Sequence, residues 1–227
     1  MAVVNGIFGI TELVLDSGLT AEQREKLGMV QSSAESLLSM INDILDFAQI
    51  EGGTLKLESI PFALRESLGE TIEALDVQAQ QKSLELRWEV RADVPETVVG
   101  DLGRIRQILK ILVGNAIKFT KEGGVAITVN EDSREDADSC LHFMVKDTGI
   151  GIAEDMQEKI FEPLSQADGS VTRNYGGSGM GLSICSKLAT AMGGKIWVES
   201  EPGTGSTFHF TLRLPSQRWT CSASSDC

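Results

Sequence analysis

Four short stretches set chemistry-capable residues in order along the chain: NAIKF (115–119), DTGIGI (147–152), YGGSGMGL (175–182) and GTGSTF (203–208). Each is a weak signal alone, because a pair of glycines usually marks no more than a turn. Asn115 stands among the apolar residues Leu112, Ala116 and Ile117. An amide on such a face is costly unless it is bonded. Two readings stay open: an asparagine satisfied within the core, or an oxygen ligand for Mg2+, a hard cation suited to amide and phosphate oxygens. Lys118, three residues on, shares that helical face and can reach a phosphate. Asp147 closes the apolar run HFMVKD, and its carboxylate can accept a hydrogen bond from an exocyclic amine such as that of adenine. Gly149 and Gly151 let the backbone bend close to such a base. Gly177, Gly179 and Gly181 lead into a helix, where N–H groups freed by glycine make an anion cradle. Thr207 can support the base side through its hydroxyl or a water.

Other chemistries fit less well. Nothing matches GxxxxGK[ST], and no GxGxxG opens a dinucleotide fold. DTG is also the signature of aspartic proteases, but that family follows it with Ser or Ala, and here Ile150 follows. A second copy of the motif is missing, although a homodimer could supply one. The protease reading also leaves the other three stretches unexplained.

These residues need elements to hold them. Ile7, Ile10, Leu13 and Val14 form one stripe on a helix predicted over Val3 to Leu15. DSGLTAEQ breaks it, and Thr20 with Gln23 spells a capping box for a second helix, Ala21 to about Ile50. Its apolar residues, among them Leu27, Val30, Ala34, Leu37 and Ile41, step by three and four like a coiled-coil seam. Two helices cannot enclose a core, so a four-helix bundle from two copies is expected, rather than a hairpin packed on its own C-terminal domain. EGGTLKLESIPF reads as the joint to a second unit. There, helices are predicted over Leu64–Gln81, Asp101–Phe119 and SGMGLSICSKLATAMG. Strands are predicted at SLELRWEVR, GVAITVN, CLHFMVKD, GKIWVESE and STFHFTLRLP, with EDSREDAD as a solvated hairpin loop. The interleaving predicts an α/β sandwich with a mixed sheet and helices on one face. The tail SQRWTCSASSDC has no periodicity.

Composition narrows the function. With 227 residues and 41 % hydrophobic content the chain is globular, and its net charge of -13 repels phosphate backbones, so no nucleic-acid partner is expected. Cys140, Cys185, Cys221 and Cys227 form no CxxC pair, which suits a reducing compartment. No stretch approaches the roughly 20 apolar residues of a membrane helix. MAVVNGIFGI lacks the positive flank of a signal peptide, so a cytoplasmic location is expected, alone or as the cytosolic part of a larger sensor.

Taken in order, the four stretches resemble the N-box and successive glycine boxes of a sensor histidine kinase. That family shares its ATP-binding fold with DNA gyrase, mismatch-repair ATPases and large heat-shock chaperones. FEPLSQADGSVTRNYGGSGMGLSI is similar to the lid and following helix of hybrid sensor kinases. NGIFGITELVLDSGL with SSAESLLSMINDILDFAQIEGG resembles their dimerisation and phosphotransfer hairpin. The resemblance implies an α+β chain. Residues 1–55 would be a helical hairpin dimerising as a four-helix bundle, residues 56–215 a two-layer α/β sandwich of the histidine kinase ATPase (Bergerat) type, and residues 216–227 a flexible tail. It implies ATP and Mg2+ as cofactors, with Asn115 on the metal, Asp147 on adenine, and Lys118 with the backbone of Gly177 to Gly181 on the phosphates. Phe119, Gly149, Gly151, Ile152, Leu182 and Thr207 would complete the ATP site. Residues Ile152 to Tyr175 would form a lid carrying Arg173 as a phosphate contact. The implied partners are a second copy through helices 1–50 and a response-regulator receiver domain.

Some positions depart from the family pattern. The acceptor lies in a pattern close to HEIRTPxNGI; with NGI at Asn5–Ile7, the histidine and adjoining Glu fall before Met1. The chain is therefore expected to lack its own acceptor, and to phosphorylate a histidine-bearing kinase in trans if at all. The groups for response-regulator phosphatase activity fall in the same missing stretch. His142 and His209 lie in predicted strands and cannot replace the acceptor. Ile111 stands where the family carries a polar residue, which implies weak ATP hydrolysis; Leu164 and Asn174 also depart, in the lid. Two rival readings are a non-catalytic pseudokinase scaffold and an ATPase of the gyrase and chaperone type.

Overall fold

A computed structural model of the chain describes residues 2–135, 138–163 and 179–215. Two helices come first, α1 (Ala2–Leu15) and α2 (Ala21–Glu51). The capping box at the start of α2 is formed: Thr20 Oγ1 accepts from the Gln23 N–H at 3.2 Å, and Gln23 Oε1 accepts from the Thr20 N–H at 3.0 Å. Much of the apolar stripe of this hairpin stays open to solvent, with Ile10 66 %, Leu13 75 % and Leu37 49 % exposed. An uncovered stripe of this kind is a candidate contact surface.

The second unit runs β1 (Ile60–Ala63), α3 (Leu64–Gln81), β2 (Glu85–Val90), β3 (Thr97–Gly100), α4 (Leu102–Phe119), β4 (Gly124–Glu135), β5 (Asp138–Asp147), α5 (Gly181–Ala191), β6 (Ile196–Glu201) and β7 (Gly205–Pro215). Five strands form one sheet in the order β2-β4-β5-β7-β6. The β2–β4 pair is parallel and the others antiparallel, so the sheet is mixed. Period-two alternation sends Ile127, Phe143, Val145 and Phe210 to one face, where α3, α4 and α5 cover them. Phe143 and Phe210 stack there at 4.5 Å between centroids. The architecture is thus a helical N-terminal region followed by a two-layer α/β sandwich.

Two sequence expectations change. EDSREDAD is mostly not loop: the β4–β5 ladder continues to the pair Glu135–Asp138, with a bulge between Glu131 and Ser133. Backbone pairing carries a hairpin outward without any apolar face, which composition does not reveal. TVVG forms β3, antiparallel to β1, a two-stranded pairing that four residues of sequence do not signal.

The end of α2 rests on the sandwich. Asp46 accepts from Arg104 at 2.9 Å and from Gln107 at 2.7 Å, both on α4. Lys187 of α5 pairs with Glu51 and lies 4.2 Å over the Phe47 ring. Among the described residues no helix is long and apolar enough to cross a membrane.

Candidate functional site

Alternation along β5 buries Leu141, Phe143 and Val145 and then carries Asp147 onto the same helix-covered face. The strand ends there, and the carboxylate is 5 % exposed at the rim of the core. Its Oδ1 accepts from the Gly149 N–H at 2.8 Å and from the Ser206 N–H at 3.3 Å. Among the described residues no hydrogen bond reaches Oδ2. Half of the carboxylate is thus fixed by backbone, and half is available to an outside donor. Thr148 ties the strand end to the loop after α4, its hydroxyl donating to the Glu122 carbonyl at 3.0 Å and accepting from the Gly124 N–H at 3.1 Å.

The glycines of DTGIG fit a close approach of three backbone segments. A Cβ on Gly149 would stand 2.7 Å from the Phe119 carbonyl oxygen, so the end of α4 meets the strand end only because no side chain intervenes. Gly151 has φ +69°, and a Cβ there would strike the Glu201 carbonyl. Ile152 follows, its N–H donating to Ser200 Oγ at 2.8 Å.

Ser200 and Ser206 were not expected as site residues. Their hydroxyls lie 2.9 Å apart, and Ser200 also donates to the Gly205 carbonyl at 2.9 Å. Ser206 shares the face of Phe208 and Phe210, and hence of Asp147. Thr207 does not: it pairs with Lys146 and Glu199 on the opposite face. Alternation in STFHF carried this signal, since an apolar Phe208 inside puts Ser206 inside and Thr207 outside. Thr207 instead lines a groove of about 710 Å3 at the sheet end, with Lys146, Glu154, Glu199, Glu201 and Thr204. Asp147 also borders that groove, but so many carboxylates would repel a polyphosphate. The α4–α5 side carries the other expected residues.

On that side, Ile111, Asn115 and Lys118 recur along one face of α4. Ile111 Cγ2 would lie 3.1 Å from a Cβ on Gly181, so the start of α5 abuts this face at one end. Phe119 abuts the DTGIG loop at the other. Asn115, half-buried between them, has no hydrogen bond to its amide among the described residues. Its carbonyl oxygen is of the type that suits a hard cation. Gly179 takes φ +68° just ahead of α5, Gly181 is the first residue of that helix, and Leu182 packs partly buried against the core. Arg173 and Gly177 lie outside the described residues, as does the second half of the expected lid, residues 164–175.

Lys82 was also missed. Its Nζ donates to the carbonyls of Ile117 at 2.9 Å and Lys118 at 3.1 Å, capping the negative end of α4. Burial first, and then the Lys82 charge, push the Lys118 ammonium below its ordinary pKa. Lys82→Met is expected to cost roughly 0.5–1 kcal/mol, read from urea unfolding. It should also move the Lys118 titration upward, read by NMR.

Burial raises the Asp147 pKa above the usual aspartate value, and the Gly149 and Ser206 N–H groups oppose this only in part. A carboxyl with a raised folded pKa favours the folded state fully below its unfolded pKa, and this contribution is lost as pH rises through the folded value. Ionised Asp147 is therefore a cost to the ligand-free fold at neutral pH. The reverse holds for a ligand that needs the carboxylate as acceptor. Its affinity is expected to fall as pH drops through the raised folded value, as a binding titration against pH would show.

A buried strand-end acid, glycine-mediated contacts and an amide-bearing helix on a two-layer sandwich define a fold class: the histidine kinase-, DNA gyrase B- and HSP90-like ATPases, a family that matches residues 100–216. The His Kinase A (phospho-acceptor) domain matches residues 4–53, and the chain belongs to the sensor histidine kinases. It is 44 % identical over 211 residues to the signal transduction histidine-protein kinase BarA of Escherichia coli, covering 93 % of this chain and 23 % of that protein. It is 47 % identical over 216 residues to the sensor histidine kinase GacS of Pseudomonas protegens, covering 95 % and 23 %. The crystal structure of full-length ShkA in complex with AMPPNP superposes with a TM-score of 0.78 at 36 % identity, covering 95 % of this chain and 44 % of that one. The chain thus spans about a quarter of the length of the curated relatives it matches.

Proposed function

We propose that the chain is the catalytic core of a hybrid-type sensor histidine kinase that binds ATP with Mg2+ and passes the γ-phosphoryl group to a histidine. The observation that carries this is the half-satisfied Asp147 carboxylate, buried at the strand end with Oδ2 available to a donor. Asp147 accepts from the adenine amino group, in a crevice whose close backbone approach depends on Gly149 and Gly151. Phe119, Ile152 and Leu182 border it, and Ser206 replaces Thr207 as the hydroxyl beside the acid. Asn115 holds the metal, which when bound supplies charge neutralisation on the phosphates. Lys118 and the N–H groups from Gly177 to Gly181 hold the phosphate oxygens, with Arg173 closing from the lid. Residues 1–55 form the dimerisation hairpin, and its exposed stripe pairs with a second copy. Residues 56–215 are the ATP-binding domain, residues 216–227 a tail, and a response-regulator receiver domain in the cytoplasm takes the phosphoryl group onward.

The histidines of this sequence are His142 and His209, in β5 and β7, and neither borders the crevice. Neither lies within residues 4–53, where the phospho-acceptor domain matches, so the acceptor in this reading is a histidine of a paired kinase. In-line transfer needs that nucleophile placed against the γ-phosphate. The chain mixed with a nucleotide-site-dead, histidine-bearing relative and γ-labelled ATP is expected to label the relative, while residues 1–227 alone stay unlabelled. No label on the relative, with mixed dimers demonstrated, would replace the kinase by a scaffold. Hydrolysis without transfer would favour an ATPase, a reading that Ile111 disfavours because its apolar side chain faces the start of α5 where a water would need orienting.

A further inference from the structure

We propose that His142 and His209 form a binding site for one divalent late first-row transition metal ion, of the Ni2+, Cu2+ and Zn2+ class, on the face of the sheet turned away from the helices. The site is separate from the ATP crevice and does not rest on that reading. In the β5–β7 ladder His142 lies opposite Thr211 and His209 opposite Met144, so the two imidazoles are diagonal neighbours on one face. His142 Nε2 and His209 Nδ1 are 3.1 Å apart. Two nitrogens at that separation, each about 2.05 Å from a shared ion, subtend an angle of about 98°, between the octahedral and tetrahedral values.

A second observation concerns the far nitrogen of His209. Nε2 is buried and has no hydrogen-bond partner among the described residues, and Glu199 Oε2 stands 3.8 Å away. A metal on Nδ1 forces the ring proton onto Nε2, toward that carboxylate. At 3.8 Å the carboxylate acts on that N–H by its charge and does not hydrogen-bond it. The proton now shared between the rings moves to the far nitrogen of its own ring, so neutral imidazoles bind with no net proton change. Among the charged groups around the pair, Asp132 of β4 and Glu199 of β6 favour a cation, and Lys195, beside β6 and over Trp197, opposes it. Among the described residues no group of three His, Cys, Asp or Glu side chains is arranged to hold a metal, so solvent completes the coordination. A nitrogen-only protein donor pair selects late transition metals over Mg2+ or Ca2+.

Trp197 provides a local reporter, since its ring stacks on His209 with centroids 4.9 Å apart and planes 5° from parallel. Ni2+ titrated into the full chain is expected to bind with one equivalent on this face and to quench part of the tryptophan emission. His142→Gln, at a half-exposed position, should weaken that binding at least tenfold, and Glu199→Gln by a smaller factor. Trp197→Phe should remove the quench while keeping the binding. Undiminished affinity and quenching in His142→Gln would overturn the proposal and move the metal elsewhere, for example to the cysteines at 221 and 227. A readout without variants is imidazole 15N NMR of the wild type: Zn2+ must shift His142 Nε2 and His209 Nδ1, and unmoved resonances would equally overturn it.

Discussion

Asp147→Asn is expected to weaken binding of a fluorescent ATP analogue by about 10- to 100-fold, the loss of a charge-assisted hydrogen bond of about 1.5–3 kcal/mol. The amide keeps the shape and can still accept from the Gly149 and Ser206 N–H groups through its oxygen. Its other end is then an NH2 donor facing the donor of the base, so one attraction becomes a repulsion. The same substitution should leave the ligand-free protein at least as stable as the wild type at neutral pH, because it removes a charge whose burial raises its pKa. Affinity and stability moving in opposite directions separates this result from misfolding. Equal affinity of the two proteins for the analogue would end the adenine assignment, and with it the proposed seat of the nucleotide.

Gly205→Ala is expected to be the more damaging change to the fold, destabilising by roughly 3 kcal/mol or more. Gly205 has φ +107°, beyond the region that L side chains reach even with strain. A Cβ there would also run into the carbonyl of Asp147 itself, which cannot move without shifting the end of β5. The neighbouring Ser206 N–H, which holds Asp147 Oδ1, would move with it. Urea unfolding should show the lost stability, and the nucleotide titration should show weakened binding even where the fold persists. Gly203→Ala is a control in the same turn: φ is +84°, but nothing lies within 4 Å of its added Cβ, so it carries backbone strain without the collision.

Much of the frame was legible in local patterns. Helix α3 has the predicted bounds of Leu64–Gln81, and α4 differs only in that Asp101 caps it from outside, accepting from the Arg104 N–H at 3.0 Å. These succeed because helical periodicity and capping are properties of neighbouring residues. The site was legible in part for a similar reason. Asp147 at the end of an alternating run had to fall on one face or the other, and Val145 two residues earlier decides which. The same rule, carried along β7, would have chosen Ser206 over Thr207.

The sequence by itself determined most of the elements, the fold family and most residue types at the crevice, because these follow from short-range periodicity and from motifs in fixed order. Only the tertiary structure decided which donors hold Asp147 Oδ1, since Ser206 reaches it across 59 residues of chain. Only it joined Lys82 to the end of α4, set the tail of α2 against Arg104 and Lys187, and brought two histidines 67 residues apart to within 3.1 Å. Such contacts depend on strand order and on register, and a shift of one residue would turn every side chain to the opposite face.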